Sequence, residues 1–188
     1  MELRKQNMKI FNEIPFSMFS KHSNIRLGAY YELPNLSFPY RSFWSVISSI
    51  ESGSRPAGGI KDSDIGQAIS LGGEQIGADG ALNLDKIPYV PMEYYESIDK
   101  GKIQNGDILL CKDGALTGKV CQVDSSLLPN ASVMANEHIY VIRANDSILQ
   151  KFLFYLMRTE IFQNQVKDFA FHKKGQPGLN FDHIKAIK

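Results

Sequence analysis

The clearest alternation between apolar and polar positions lies in the second half of the chain. Asp107 through Cys111 reads as a buried strand, since Ile108-Leu109-Leu110 is an unbroken apolar run and Asn105-Gly106 ahead of it is a hairpin-type turn dipeptide. Lys112-Asp113-Gly114 turns the chain, and Gly118-Lys119-Val120-Cys121-Gln122-Val123 returns it as a second strand. Glu137 through Arg143 gives a third strand with partial alternation. At Ser147 the period becomes helical. Ile148, Leu149, Phe152, Leu153, Tyr155 and Leu156 form a broad apolar face, and Ser147 with Gln150 has the spacing of a capping box. Thr159 caps a second helix that turns Ile161, Phe162, Val166 and Phe169 inward. A loop, Lys173-Lys174-Gly175-Gln176-Pro177-Gly178, follows, and Leu179 through Ile187 reads as a short turn or helix ending in a strand.

The first half is less regular. Phe43 through Ile50 is rich in aromatic and β-branched residues and predicts a strand, closed by the turn Gly53-Ser54-Arg55-Pro56. Residues 60–100 are polar and glycine-rich, with two short strands expected near Ala68-Ile69-Ser70-Leu71 and Pro88-Tyr89-Val90. Residues 1–41 show no clean period and are expected to form an N-terminal arm or inter-domain segment, with residues 42–188 as the domain. The core is expected to place Trp44 and Ile108-Leu109-Leu110 against Phe152, Leu153 and Leu156.

Composition narrows the class. The 188 residues are 43% hydrophobic and 22% charged, which suits one globular domain with a sizeable core. No apolar run approaches a membrane span, and no signal core follows the charged N-terminus, so a cytoplasmic protein is expected. The two cysteines, Cys111 and Cys121, sit in consecutive strands and read as reduced, buried, structural thiols. A net charge of +1 is low for a free-standing nucleic-acid binder. Binding of that kind then needs local clusters of basic residues or a partner that supplies most phosphate contacts.

Catalytic patterns are weak. Gly114-Ala115-Leu116-Thr117-Gly118-Lys119 fails as a phosphate-binding loop: three residues separate its glycines, where four are needed, and Val120 stands where a Ser or Thr would hold Mg²⁺. It reads as a tight strand-to-strand turn whose Lys112, Thr117 and Lys119 reach toward phosphates. Neither the histidines nor the cysteines have metal-ligand spacing. Cys111 with His138 is the one conceivable nucleophile pair, and nothing in the sequence selects it. Glu93, Glu96 and Asp99, like Asp62 and Asp64, read as solvated surface. His172-Lys173-Lys174-Gly175-Gln176 is the dense basic cluster, and its glutamine has a donor and an acceptor suited to adenine in the major groove. Arg55, on its turn, suits a phosphate or a guanine; its plainer role is an ion pair with Asp62 or Asp64.

The order of these features resembles the target recognition domain of a type I restriction–modification specificity subunit. The resemblance runs over most of residues 42–188, through Trp44-Ser45-Val46, Gly53-Ser54-Arg55-Pro56, Gly106-Asp107-Ile108-Leu109, Gly114 with Gly118-Lys119, Asn136-Glu137-His138, Val141-Ile142-Arg143, Gly175-Gln176-Pro177 and Leu179-Asn180. It implies an α/β (α+β) domain, a twisted, mostly antiparallel β-sheet with a few flanking helices. It also implies a module that reads one half of a bipartite double-stranded DNA target for an adenine-N6 methyltransferase/endonuclease complex. The partners so implied are DNA, methyltransferase (modification) subunits and a restriction subunit, with no membrane and no cofactor. Arg55, Lys112, Thr117, Lys119, His172, Lys173, Lys174 and Gln176 are the expected DNA contacts. The methyltransferase tetrapeptide Asp/Asn-Pro-Pro-Tyr/Phe does not occur, so a non-catalytic module is expected. A whole specificity subunit carries two recognition domains joined by long helices. This chain carries one, as a piece of such a subunit, a half-subunit or part of a fused enzyme would.

Two rival readings make different demands. A protein-interaction domain docking through its apolar helix requires Phe154 and Met157 to be exposed. An enzyme using Cys111 or His138 requires the two to converge on a pocket.

Overall fold

A computed structural model describes residues 39–59, 67–129, 132–170 and 176–188. All lie within one compact unit, Tyr31–Lys188. The elements are strands β1 (Ile47–Ser52), β2 (Ala68–Leu71), β3 (Tyr89–Val90), β4 (Ile108–Cys111), β5 (Val120–Gln122), β6 (Val133–Ala135) and β7 (Ile139–Ala144), and helices α1 (Met92–Ser97), α2 (Gln150–Met157), α3 (Glu160–Ala170) and α4 (Phe181–Ala186). They build an α+β fold on two sheets. One is antiparallel, in the order β1-β7-β4-β5. The other runs β3-β2-β6, with β2 and β6 parallel.

The period-2 geometry of a strand sorts β4 between two cores. Ile108 and Leu110 face the helices, with Tyr140 and Ile142 of β7 beside them and Leu153, Met157, Phe162, Val166 and Ile184 above. Leu109 and Cys111 face the second sheet, against Ile69, Leu71, Val133 and Ala135. Every residue of β4 is buried because both of its faces are covered, which explains the unbroken apolar run. A third apolar group, Ala68, Val90 and Met134, closes the outer side of the second sheet beneath the Tyr94 and Tyr95 rings of α1.

Several expectations change. Leu109 packs away from α2. Trp44 is 40% exposed, and Phe152 and Leu156 point outward; of the expected helix partners only Leu153 is buried. Phe43–Val46 is a 3-10 turn, and the predicted strand begins at Ile47. Phe43 is the ring that goes inside, meeting Phe162 at 5.1 Å. Ser147 and Gln150 form no capping box. Gln150 instead accepts from the Ala144 amide at 2.6 Å and donates to the carbonyls of Gly106 and Ile142, tying the helix start to β7 and to the Asn105-Gly106 turn. Thr159 does cap α3, its hydroxyl accepting from the Phe162 amide at 3.4 Å. Strand β6 has no counterpart in the sequence reading. Among the described residues no helix is long and apolar enough to cross a membrane.

Candidate nucleic-acid interface

The C-terminal ends of β1 and β4 and the start of β7 meet at one edge of the first sheet, where most of the expected contact residues gather. The turn after β4 is held by its own hydrogen bonds: the Gly118 amide donates to the Cys111 carbonyl at 2.9 Å and the Thr117 amide to that of Gly114 at 3.2 Å. Gly114 and Gly118 both have φ near +90°, at 80° and 95°, which only glycine adopts freely. This is the strand-to-strand turn expected from the sequence.

A second segment lies antiparallel to that turn. The Gly114 amide donates to the Pro177 carbonyl at 3.0 Å and the Leu179 amide to that of Lys112 at 2.6 Å, with Asp113 opposite Gly178. The Gly178 amide also donates to the carbonyl of Ala170, the last residue of α3, at 3.4 Å. Backbone bonds thus clip Pro177–Leu179 to the β4–β5 turn and join Gly178 to the end of α3. His172, Lys173 and Lys174 lie outside the described residues. Gln176 is exposed at the mouth of a cleft of about 490 Å³ that also takes in Asp113, His138, Asn136, Cys111 and Gln75.

The cationic side chains here differ in their engagement. The Arg55 side chain is 64% exposed and pairs with Glu137, Nε to Oε1 at 3.0 Å. Its alternative partners Asp62 and Asp64 lie outside the described residues. Lys112 donates to the Ser52 hydroxyl at 2.7 Å, with its ammonium 5.0 Å from the centre of the Tyr140 ring. Lys119 donates to the Ile76 carbonyl at 3.2 Å. The Thr117 hydroxyl donates to the Gly114 carbonyl at 2.6 Å, a bond that serves the turn itself.

Nothing in the local sequence connects the acids of this edge to its bases. His138 Nδ1 meets Asp113 Oδ1 in a short contact, and its Nε2 lies 3.3 Å from Glu137 Oε1. The outcome is an alternating row, Arg55–Glu137–His138–Asp113, whose last two members line the cleft. The signal for it was present only as the Asn136-Glu137-His138 tripeptide ahead of β7, where the Asn136 side chain accepts from the His138 amide at 3.0 Å.

Cys111 and His138 do line the same cleft. The thiol is nonetheless poorly suited to nucleophilic work: burial pushes its pKa up to about 11, and Sγ donates to the Asp113 carbonyl at 3.4 Å. Both cysteines are free and buried, as expected, and burial likewise holds Cys121 at about 12. Among the described residues no group of three or more His, Cys, Asp or Glu is placed to hold a metal ion.

No family model matches the chain, and no curated protein matches it. Solved structures do. A chain from a structure of the complex assembly and conformational transition of a type I R-M system is similar over 84% of this chain and 38% of its own, at 18% identity and a TM-score of 0.57. The S subunit of the type I restriction–modification system from M. genitalium is 16% identical over 77% of this chain and 32% of its own, with a TM-score of 0.49. The HsdS subunit from Thermoanaerobacter tengcongensis is 16% identical over 84% and 38%, with a TM-score of 0.48. This chain therefore spans less than two-fifths of each of those chains. Its two-sheet α+β fold is one found in a chain of a type I R-M system.

Proposed function

We propose that residues 42–188 are a DNA target recognition domain, a specificity module of a restriction–modification system that acts in the cytoplasm. The observation that carries this reading is a fold shared with a chain of a type I R-M system, at a TM-score of 0.57. The module reads one half of a bipartite duplex target for an adenine-N6 methyltransferase/endonuclease complex, whose modification and restriction subunits are its partners. Catalysis belongs to those partners. The clip between Lys112–Gly114 and Pro177–Leu179 supports a role for Gln176, which stands exposed beside it. Lys173 and Lys174 act on phosphates and Gln176 on a base edge; Arg55, Lys112, Thr117, Lys119 and His172 flank them.

The test compares the parent chain with a Lys173→Ala, Lys174→Ala, Gln176→Ala variant, each in complex with the modification subunit. The lysine changes weaken binding to all duplexes and lower the salt slope by about one per lost phosphate contact. Gln176→Ala alone costs about 1–3 kcal/mol on the preferred site and little on mixed-sequence DNA. Unchanged affinity and unchanged site preference in the triple variant would remove the loop from the interface. Methyl transfer from S-adenosylmethionine by the chain alone would refute the non-catalytic assignment.

A second reading keeps the protein-interaction role but relocates it. Phe154 and Met157, which that reading needs exposed, are 6% and 0% exposed. The outward face of α2 is instead Phe152, Tyr155 and Leu156, with Leu149 just ahead of the helix at 78% exposure. An apolar stripe of this kind suits a partner subunit, and DNA reading and subunit docking then occupy different faces of one domain.

A further inference from the structure

The rings Trp44 and Phe181 are 40% and 42% exposed, and the interface described above uses neither. Each is bound up with a lysine. Lys185 Nζ lies 5.4 Å from the centre of the Trp44 ring. Phe181 packs on Tyr140 at 5.2 Å, and the same Tyr140 ring carries Lys112 at 5.0 Å. Phe181 and Lys185 stand at i and i+4 on α4 and so share one helix face. The Phe43 amide donates to the Ile187 carbonyl at 2.9 Å, which fixes the turn bearing Trp44 against the end of α4. The rings and cations therefore form one strip, running from Lys112 through Phe181 and Lys185 to Trp44. Its carboxylates are weak competitors. Asp182 is 89% exposed and only 3.9 Å from Lys185, and Asp113 is engaged by His138.

We propose that Trp44, Phe181 and Lys185 form a second contact for duplex DNA, on its sugar–phosphate backbone. The inference rests on the DNA-reading proposal and extends it to α4 and the turn before β1. A duplex backbone alternates apolar deoxyribose with anionic phosphate, and an exposed ring edge beside an ammonium matches both parts. Contacts of this kind position a protein on DNA without carrying sequence information. A platform for unpaired bases would need open ring faces. Here Lys185 lies over a face of Trp44, and Phe181 is tilted onto Tyr140.

Trp44 is the single tryptophan of the chain, so its emission reports on this strip alone. The full chain is titrated at low salt with a fluorescein-labelled DNA duplex of mixed sequence, following label anisotropy and Trp44 emission together. Both signals are expected to saturate at the same duplex concentration. The Lys185 side chain is 53% exposed, so Lys185→Ala leaves the core intact. That variant is expected to weaken binding to every duplex roughly two- to tenfold and to lower the salt slope by about one. Lys185→Arg restores both. Duplex binding with unchanged Trp44 emission and no effect of Lys185→Ala overturns this inference and leaves the DNA reading standing. A larger Trp44 response to the single strand than to the duplex also overturns it. No anisotropy change at all, for the chain alone and for its complex with the modification subunit, overturns both.

Discussion

Strands β4 and β7 carry an acid–base pair at each of their two ends, and the two pairs are built differently. Asp107 stands just before β4 and faces Arg143 near the end of β7, in a two-pronged contact at 2.8 and 2.7 Å. Arg143 also donates to the Lys102 carbonyl at 3.0 Å and reaches Glu51 at 3.3 Å; Glu51 in turn accepts from the Gly101 amide. The Asp107 side chain is 5% exposed. At the other end, Asp113 follows β4 and meets His138 just before β7, with side chains 32% and 45% exposed. A charge taken from water must have its hydrogen bonds met inside, and the first pair has them met. The second pair keeps its water and borders the cleft. Charge placement on the same two strands thus separates the end that holds the sheet together from the end that borders the cleft. Hydrogen bonding to Asp107 shifts the Arg143 pKa upward, in keeping with that division.

The strongest way to break the comparison is to remove the buried acid. Asp107→Ala leaves the mostly buried Arg143 guanidinium with Glu51 and the Lys102 carbonyl alone as its partners and frees the Gln104 amide, which now donates to Asp107 at 2.8 Å. Loss of one partner of a buried pair costs about 3–5 kcal/mol. Urea unfolding measures it, and a loss under about 1 kcal/mol would put this pair in the class of surface ion pairs.

A second substitution sharpens the picture of what lies between the two ends. Leu109 is fully buried, facing the second sheet. Leu109→Ala should cost about 2–5 kcal/mol, as large-to-small changes in a packed core do. Trp44→Ala, at a ring 40% exposed, should cost clearly less in the same unfolding experiment. Equal losses would contradict the division between core and outer strip.

The contrast also shows what the sequence could reveal. Strands β2, β3, β4, β5 and β7 were legible because short apolar runs between glycine and turn residues have few other solutions. Strand β6 was not, since Val133-Met134-Ala135 is too short to show a period. Helix α2 was legible as a helix, but its inner side was not. It is apolar almost all round, so Phe152, Tyr155 and Leu156 looked as suited to the core as Leu153, Phe154 and Met157. Gln150 looked like half of a capping box because its partners at Gly106 and Ile142 depend on tertiary contact. The edge at the β4–β5 turn was visible as a turn with lysines. Its row of charges was not, because Arg55, Asp113 and His138 are distant in sequence and meet only when β1, β4 and β7 pair.

The smallest expected effect lies at the open end and tests it most directly. Asp113→Asn keeps the shape of the side chain and removes a charge that is one-third exposed and paired with a histidine. Exposed pairs contribute about 0–1 kcal/mol, so stability should move by no more than that. The backbone of the turn is held by the bonds of Gly114, Gly118 and Leu179, none of which uses the Asp113 carboxylate. The same change should tighten DNA binding by a modest factor, because it removes a negative charge from the rim of the proposed interface, and the gain should shrink as salt rises. Unfolding and duplex-binding measurements on the one variant read both quantities. A stability loss above about 2 kcal/mol would make Asp113 a second structural acid like Asp107, beyond the range of an exposed pair. Unchanged binding at low salt, with stability intact, would place the DNA away from this rim and leave the α4 strip as the surface to pursue.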